Sequence, residues 1–191
     1  MSVLSSPTPS PGIPADACNH CISELKTRAR LGLNALQAGD QALLDRATKV
    51  SGVSMATPTH WKLRHAFTLV ARSVGFHTWA QARIALGGQA QAGDDMGTFW
   101  HAPRCNGLLN HWFAHYDDAL DCLHKMPGHA LVPYRRQFIV VNAPYLQELG
   151  LSDAPQLHAD ETLDLVALHG SDRWQALCCS RLCAHESTWV R

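Results

Sequence analysis

The sequence predicts an α+β protein: a helical N-terminal module, then a small α/β unit in the order β-α-β-α, with a C-terminal helix. Three observations support this fold class. As far as Leu86, apolar residues recur every three or four positions, the period of an amphipathic helix. Residues 87–95 (GGQAQAGDD) carry no large side chain. Beyond them, runs rich in aromatic and β-branched residues alternate with helical patterns.

Composition divides the chain into four segments. Residues 1–17 are rich in Pro and Ser and predict a disordered leader. Residues 18–88 form the helical module, and residues 89–96 have the composition of a linker. The α/β domain is predicted over residues 97–191.

Four helices are predicted in the helical module. The apolar stripe of the first consists of Ile22, Leu25, Ala29, Leu33 and Leu36. Asp40 can cap a second helix that runs from Gln41 to about Lys49. A third helix follows Thr59, and Thr78 with Gln81 has the capping-box spacing that begins a fourth.

Two strands are predicted in the second half, at residues 108–114 (LLNHWFA) and 129–141 (HALVPYRRQFIVV). The segment between them, YDDALDCLHKM, has helical spacing. Residues 143–151 (APYLQELGL) place proline in a first helical turn, where its missing N–H costs nothing. A last helix is capped by Ser171 or Asp172.

Composition also excludes several classes of protein. Of 191 residues, 46% are hydrophobic and 17% are charged, which is typical of a globular protein with a buried core. No run approaches the ~18 apolar residues that a membrane-spanning helix needs. The N-terminus lacks the basic start and apolar stretch of a signal peptide. The seven cysteines are therefore expected to be reduced thiols in the cytoplasm.

The formal net charge of zero hides an asymmetry between the two halves. Residues 16–88 contain nine Lys/Arg and four Asp/Glu, a net charge of +5. Residues 89–191 contain seven and twelve, a net charge of −5. The basic half could attract an anionic partner, or the two halves could dock against each other.

Two stretches of the module, LKTRARLGLNALQAGDQALLDRA and WKLRHAFTLVARSVGFHTWAQAR, carry a resemblance. They are similar to a small helical module of many bacterial proteins, in which a helix ending in AGD precedes a pattern of the type LKHA…ARxxGFxSW. That module often occurs beside ankyrin repeats or glyoxalase-like domains. The match covers residues 24–86 and is most specific from Ala71 to Trp79. The second half is similar to uncharacterised bacterial proteins. The resemblance implies a bacterial cytosolic origin and a two-part layout, and no particular reaction.

The cysteines suggest a metal site. Cys18 and Cys21 have the CxxC spacing that can chelate one zinc ion, and a closed structural site needs four ligands. The remaining ligands would come from the other end of the chain, from Cys179, Cys183 and His185. Redox chemistry at the CxxC pair and ordinary unreactive thiols are the alternatives.

A ligand site is predicted around the second strand. Tyr134 and Arg136 would share one strand face next to Gln137, and an arginine beside an aromatic ring suits a phosphate or a stacked base. Arg136 could equally pair with the aspartates of the preceding helix. His111 is either a further member of this site or a packed histidine on a half-buried strand.

Residues 60–86 also have the outline of a helix-turn-helix. Its basic side chains are Lys62, Arg64, Arg72 and Arg83, which are the candidates for contacts with nucleic acid. A helical hairpin without that function is the alternative, because the second helix offers only Gln81 and Arg83 to read bases.

Sequence motifs of catalysis are absent: the chain has no P-loop, no dinucleotide-binding glycine signature and no HExxH. The leading hypothesis is a cytosolic binding or regulatory protein with a macromolecular partner, protein or nucleic acid. The alternative is a metal-dependent enzyme or metal-binding protein, with zinc or iron held by Cys and His.

Overall fold

The protein is represented by a computed structural model that describes residues 20–51, 60–91, 93–152 and 162–185. Within these ranges the helices are α1 (His20–Gln37), α2 (Gln41–Ser51), α3 (Leu63–Ser73), α4 (Trp79–Leu86), α5 (Tyr116–His124), α6 (Ala143–Glu148) and α7 (Asp172–Ala184). A 3₁₀ helix spans Pro103–Gly107. The strands are β1 (His111–Phe113), β2 (Ala130–Tyr134), β3 (Gln137–Val141) and β4 (Leu163–Asp164).

The predicted α+β class is confirmed. Among the described residues, four α-helices precede a four-stranded sheet of order β1-β3-β2-β4, in which β2 and β4 are parallel and the other pairs antiparallel. Helix α7 is the last element among the described residues. None of the helices that the structure describes combines the length and apolar character needed to cross a membrane.

The prediction of a single strand over residues 129–141 is wrong, because these residues form a hairpin of two strands. Arg135 and Arg136 are the two loop residues between β2 and β3, and Tyr134 pairs with Gln137 across the turn. Arg135 has φ = 51°, a left-handed conformation that hairpin loops require and that glycine or asparagine usually supplies. With two arginines in the loop, the sequence carries no ordinary turn signal.

Side-chain caps fix the start of several helices where the sequence predicts them. The backbone N–H of Leu43 donates to Asp40 at 2.9 Å, and that of Gln81 donates to Thr78 Oγ1 at 3.1 Å. Ser171 accepts from the N–H of Trp174 at 3.1 Å, which selects it over Asp172 as the cap of α7. The cap predicted at Thr59 lies outside the described residues, and α3 begins at Leu63.

One hydrophobic core receives side chains from both halves of the sequence. It includes Leu25 of α1, Leu69 of α3 and Leu86 of α4 together with Ile139 of the sheet and Trp174 of α7. A second, smaller cluster lies between α5 and the opposite face of the sheet. The larger core therefore draws on both sides of the predicted boundary near residue 88, and the division into domains stays a prediction.

Gly88, at this boundary, packs closely against the backbone of Gly170. Gly88 has φ = +67°, and a Cβ atom built on it would lie 2.4 Å from the Cα atom of Gly170, just before α7. A side chain at this position would collide with backbone, which cannot move aside as a flexible side chain can. The end of α4 and the start of α7 can approach this closely only because both residues are glycine.

Replacing Gly88 with alanine is expected to lower the free energy of unfolding by about 2–4 kcal/mol, because backbone strain and a backbone clash add together. Gly39→Ala is the matched control. Gly39 also has positive φ (+83°), but nothing lies within 4 Å of the added Cβ, so only the strain of about 1 kcal/mol is expected. Urea denaturation of both variants measures the difference. Equal losses would mean that the Gly88–Gly170 contact is not tight.

Candidate functional site

Three aromatic rings lie together at one end of the sheet, and we call His101, Trp112 and Tyr134 the aromatic cluster. The ring centroids of Trp112 and Tyr134 are 5.1 Å apart at 88°, and those of His101 and Tyr134 are 5.1 Å apart at 72°. Trp112 and His101 are 6.3 Å apart at 63°. All three contacts are edge-to-face, the geometry that aromatic quadrupoles favour.

The register of the sheet brings Trp112 and Tyr134 to the same face. Trp112 of β1 lies opposite Ile139 of β3, which in turn lies opposite Val132 of β2. Tyr134 is two residues beyond Val132 and so points to the same side. Strand β1 pairs only with β3 in this sheet and is therefore an edge strand, with one row of backbone N–H and C=O groups facing away from the sheet.

His101 is held in place through both ring nitrogens. The hydroxyl of buried Tyr145 lies 2.8 Å from Nδ1 of His101 and 3.0 Å from the carbonyl oxygen of Trp100, and it can donate to either. The Nε2 atom lies 2.9 Å from the side-chain oxygen of Asn106 in the 3₁₀ helix, a contact in which Nε2–H is the donor because an amide oxygen only accepts. Burial raises the pKa of Tyr145 above its ordinary value, which keeps this hydroxyl a neutral donor.

The aromatic cluster is accompanied by exposed apolar and cationic side chains. Trp112 is 46% exposed, and Leu109, three residues earlier, is 83% exposed. The guanidinium of Arg135 lies 5.5 Å from the ring centroid of Tyr134, and Arg136 beside it is exposed. Among the described residues no carboxylate forms an ion pair with either arginine.

The structure brings only part of the predicted ligand site together. Tyr134 and Gln137 face each other across the hairpin, but Arg136 lies in its turn and shares no strand face with Tyr134. His111 lies opposite Val140, whose side chain packs in the cluster under α5, so His111 points to the other face of the sheet. His101 and Trp112 take their place. His101 was missed because nothing local in the sequence brings it to the sheet, whereas Trp112 lies on the predicted strand at 108–114, where His111 was chosen instead.

The four residues predicted to contact nucleic acid have different local surroundings. Arg72 donates to the carbonyl oxygens of Val50 at 2.9 Å and His77 at 3.4 Å, and so joins the end of α2 to the turn after α3. Arg64 contacts the ring of His65 at 3.1 Å. Lys62 precedes α3, and Arg83 is exposed on α4. A phosphate contact by all four residues stays a prediction.

The predicted metal ligands are partly brought together. Cys21 and Cys179 approach to 2.9 Å between sulfur atoms, and Cys183 borders the same groove. His185 follows the last turn of α7, and Cys18 lies outside the described residues. In the described part of the chain, no group of three or more His, Cys, Asp or Glu side chains is arranged to hold a metal ion.

Comparison with protein-family models, with curated proteins and with solved structures found no match to this chain. The fold and the site define its class: an α+β protein with an aromatic, cation-flanked surface at an open sheet edge. The resemblance of residues 24–86 to a bacterial helical module stays a prediction.

Proposed function

We propose that this is a cytoplasmic binding protein for a protein partner, which it holds at the aromatic cluster and the open edge of β1. The observation that supports the proposal is the exposure of Trp112, which contacts Tyr134, and of Leu109, near two arginines that form no ion pair with the described carboxylates. Tryptophan, tyrosine and arginine are the residues enriched at the energetic centres of protein interfaces. The cytoplasmic location rests on the cysteines, which are all separate thiols in the described region.

A protein partner explains more of this surface than a nucleic acid does. The outward N–H and C=O groups of β1 can pair with an extended peptide, a common mode of recognition that nucleic acids cannot use. Leu109 adds an aliphatic contact, which has no role in base stacking. Nucleic-acid binding is therefore the competing outcome.

The positive charge next to the aromatic cluster favours a partner with acidic side chains. Arg135 and Arg136 project from the hairpin tip, and β1 ends beside it because Phe113 pairs with Phe138 at the start of β3. The exposed aspartates 117 and 118 lie at the start of α5, which packs on the opposite face of the sheet. We infer that the partner presents an extended segment with apolar and acidic side chains.

Fluorescence anisotropy with a labelled 12-residue peptide tests this proposal. The peptide alternates Glu with Val, and a second peptide replaces every Glu with Lys. Binding of the acidic peptide is expected, with affinity about 30-fold weaker for Trp112→Ala, because interface tryptophans are commonly worth about 2 kcal/mol. Leu31→Ala is the control: Leu31 is 52% exposed on α1, away from the sheet, and its loss should leave the affinity unchanged.

A single-stranded oligonucleotide in the same assay separates the two classes of partner. If the oligonucleotide binds with strong salt dependence and neither peptide does, the partner is a nucleic acid. If the acidic peptide fails to bind at about 1 mM protein, or binds Trp112→Ala equally well, the proposed surface is wrong.

Zinc binding by the cysteines is the alternative function. Cys21, Cys179 and Cys183 border one groove, and thiolates are preferred zinc ligands. Elemental analysis of protein purified without chelator tests it, since a structural site would hold about one zinc per chain.

A further inference from the structure

Two cysteines from opposite ends of the sequence lie in contact where α1 packs against α7. Cys21, in the first turn of α1, is completely buried, and Cys179 of α7 is half-buried. Their sulfur atoms are 2.9 Å apart, which is about 0.9 Å longer than a disulfide bond. The Cys21 thiol also lies 3.7 Å from the carbonyl oxygen of Gln175, one turn before Cys179. This contact with α7 orients the side chain of Cys21.

The pair is accessible from solvent on the side of Cys179. A groove of about 330 Å³ runs along the seam between α1 and α7, and Cys179 and Cys183 line it together with Glu24 and Arg28 of α1. Cys183 is exposed one turn beyond Cys179. A small thiol or disulfide molecule can therefore reach Cys179, whereas Cys21 borders the same groove but is fully buried.

The surroundings favour the protonated form of both thiols, so exchange through the minor thiolate form is slow at neutral pH. Hydrogen bonding with Cys178 and burial raise the pKa of Cys21, and the hydrogen bond with Cys21 and burial raise the pKa of Cys179. A nucleophilic catalyst needs a lowered thiol pKa, so catalysis by this pair is disfavoured. A metal site is short of ligands in the described region, where no third donor completes it. Two adjoining thiols with no further ligand are suited to a covalent bond with each other.

We propose that Cys21 and Cys179 form a reversible disulfide by exchange with a small-molecule disulfide such as oxidised glutathione. The thiolate of Cys179 attacks one sulfur of the small disulfide, which releases one small thiolate and leaves a mixed disulfide on Cys179. The thiolate of Cys21 then attacks the Cys179 sulfur and displaces the second small thiolate. The two protons lost by the protein thiols end on the two small thiols. The protein pair is oxidised and the small disulfide is reduced.

The bond would join helices that are far apart in the sequence. A disulfide restricts the unfolded chain more as the loop that it closes becomes longer, and residues 21 and 179 enclose most of this protein. Oxidation is therefore expected to raise the melting temperature by about 5–15 °C, and a reductant should reverse the rise. Exchange should become faster as the pH rises, because the reacting species is the thiolate.

A peptide map of the full-length protein tests the proposal. The protein is equilibrated with oxidised glutathione, its free thiols are alkylated, and it is digested without reductant. Mass spectrometry should show the Cys21 peptide linked to the Cys179 peptide. The thiol count of the denatured protein should fall from seven to five. Cys179→Ser should lose both the link and the thermal shift, whereas Cys122→Ser, on α5, should keep both.

Three results would overturn the proposal. The first is a bond between Cys179 and Cys18 or Cys183, or between Cys21 and its other neighbour Cys178, in place of the Cys21–Cys179 bond. The second is glutathione retained on Cys179, with Cys21 still open to alkylation after denaturation. The third is about one zinc per chain that protects the thiols and is lost in Cys179→Ser, which would make the site metal-binding. Cys18 and Cys21 share one peptide, as do Cys178 and Cys179, so fragmentation of the linked peptides assigns the bonded pair. The wild-type protein thereby decides the first two outcomes even if Cys179→Ser fails to fold.

Discussion

Replacing Arg181 with alanine is expected to lower the free energy of unfolding by about 3 kcal/mol. Arg181 is only 5% exposed, and its Nε and Nη1 atoms donate to the carbonyl oxygens of Phe99 and Leu149, each at 3.1 Å. Hydrogen bonds from a charged donor contribute about 1.5–3 kcal/mol each, and both buried carbonyls lose their donor in the variant. Burial lowers the pKa of the guanidinium, so part of the loss is offset because the variant no longer buries a charge.

Two further variants separate the contributions. Arg181→Met keeps most of the packed volume and removes the donors, so it is expected to lose about 2 kcal/mol. Arg104→Ala is the surface control, because the Arg104 side chain is 86% exposed and lies 4.0 Å from Glu148, a pair worth under about 0.5 kcal/mol. Guanidinium denaturation measures all three. A methionine variant as stable as the wild type would show that the cost of burying the charge equals the two hydrogen bonds.

Local sequence signals predicted the helices well. The stripe from Ile22 to Leu36 and the caps at Asp40 and Thr78 depend on residues at most four positions apart, and the structure contains each of them. Such signals are short-range, so one sequence is enough to see them. The same reasoning failed at Arg135 and Arg136, because a hairpin loop without glycine, asparagine or aspartate has no recognisable signature.

The candidate sites depend on contacts between distant residues. His101 reaches Tyr134 and Tyr145 only after the 3₁₀ helix and the sheet have packed, so the sequence could indicate Tyr134 but not its companions. The cysteines are an instructive contrast. CxxC spacing directed attention to Cys21, and the idea that both chain ends meet led to Cys179, yet only the packing of α1 on α7 shows which two sulfurs touch.

Charge asymmetry was the least informative signal for domain organisation. The sequence suggested a cationic helical part and an anionic part with the sheet, separated near Gly88. Helix α7 belongs to the second part, yet it contacts the first directly. The side-chain amide of Gln175 donates to the carbonyl of Leu86 at 2.8 Å, and Cys179 contacts Cys21. Net charge describes the surface, whereas the core decides whether two parts can separate.

The shared core leads to the second prediction with a large effect. When the fragments 18–88 and 97–191 are produced separately, we expect each to lack a cooperative unfolding transition. Without α7, the helical part exposes the apolar face of α1 that contains Leu25 and Cys21. Without α1 to α4, the other part exposes α7, where Leu177 and Cys178 are fully buried in the intact protein. Chains this short are marginally stable even with an intact core.

Circular dichroism and thermal melts of the two fragments measure this, with the intact chain as control. Mixing the fragments should restore a cooperative transition and native-like helix content, because the contact of Cys21 with Cys179 and the hydrogen bond from Gln175 to Leu86 can form again across the cut. A sharp transition in residues 18–88 alone would contradict the expectation. That fragment would then be an independent domain, as its composition and its resemblance to a bacterial module suggest, and α7 would be a helix docked onto a core that is complete without it.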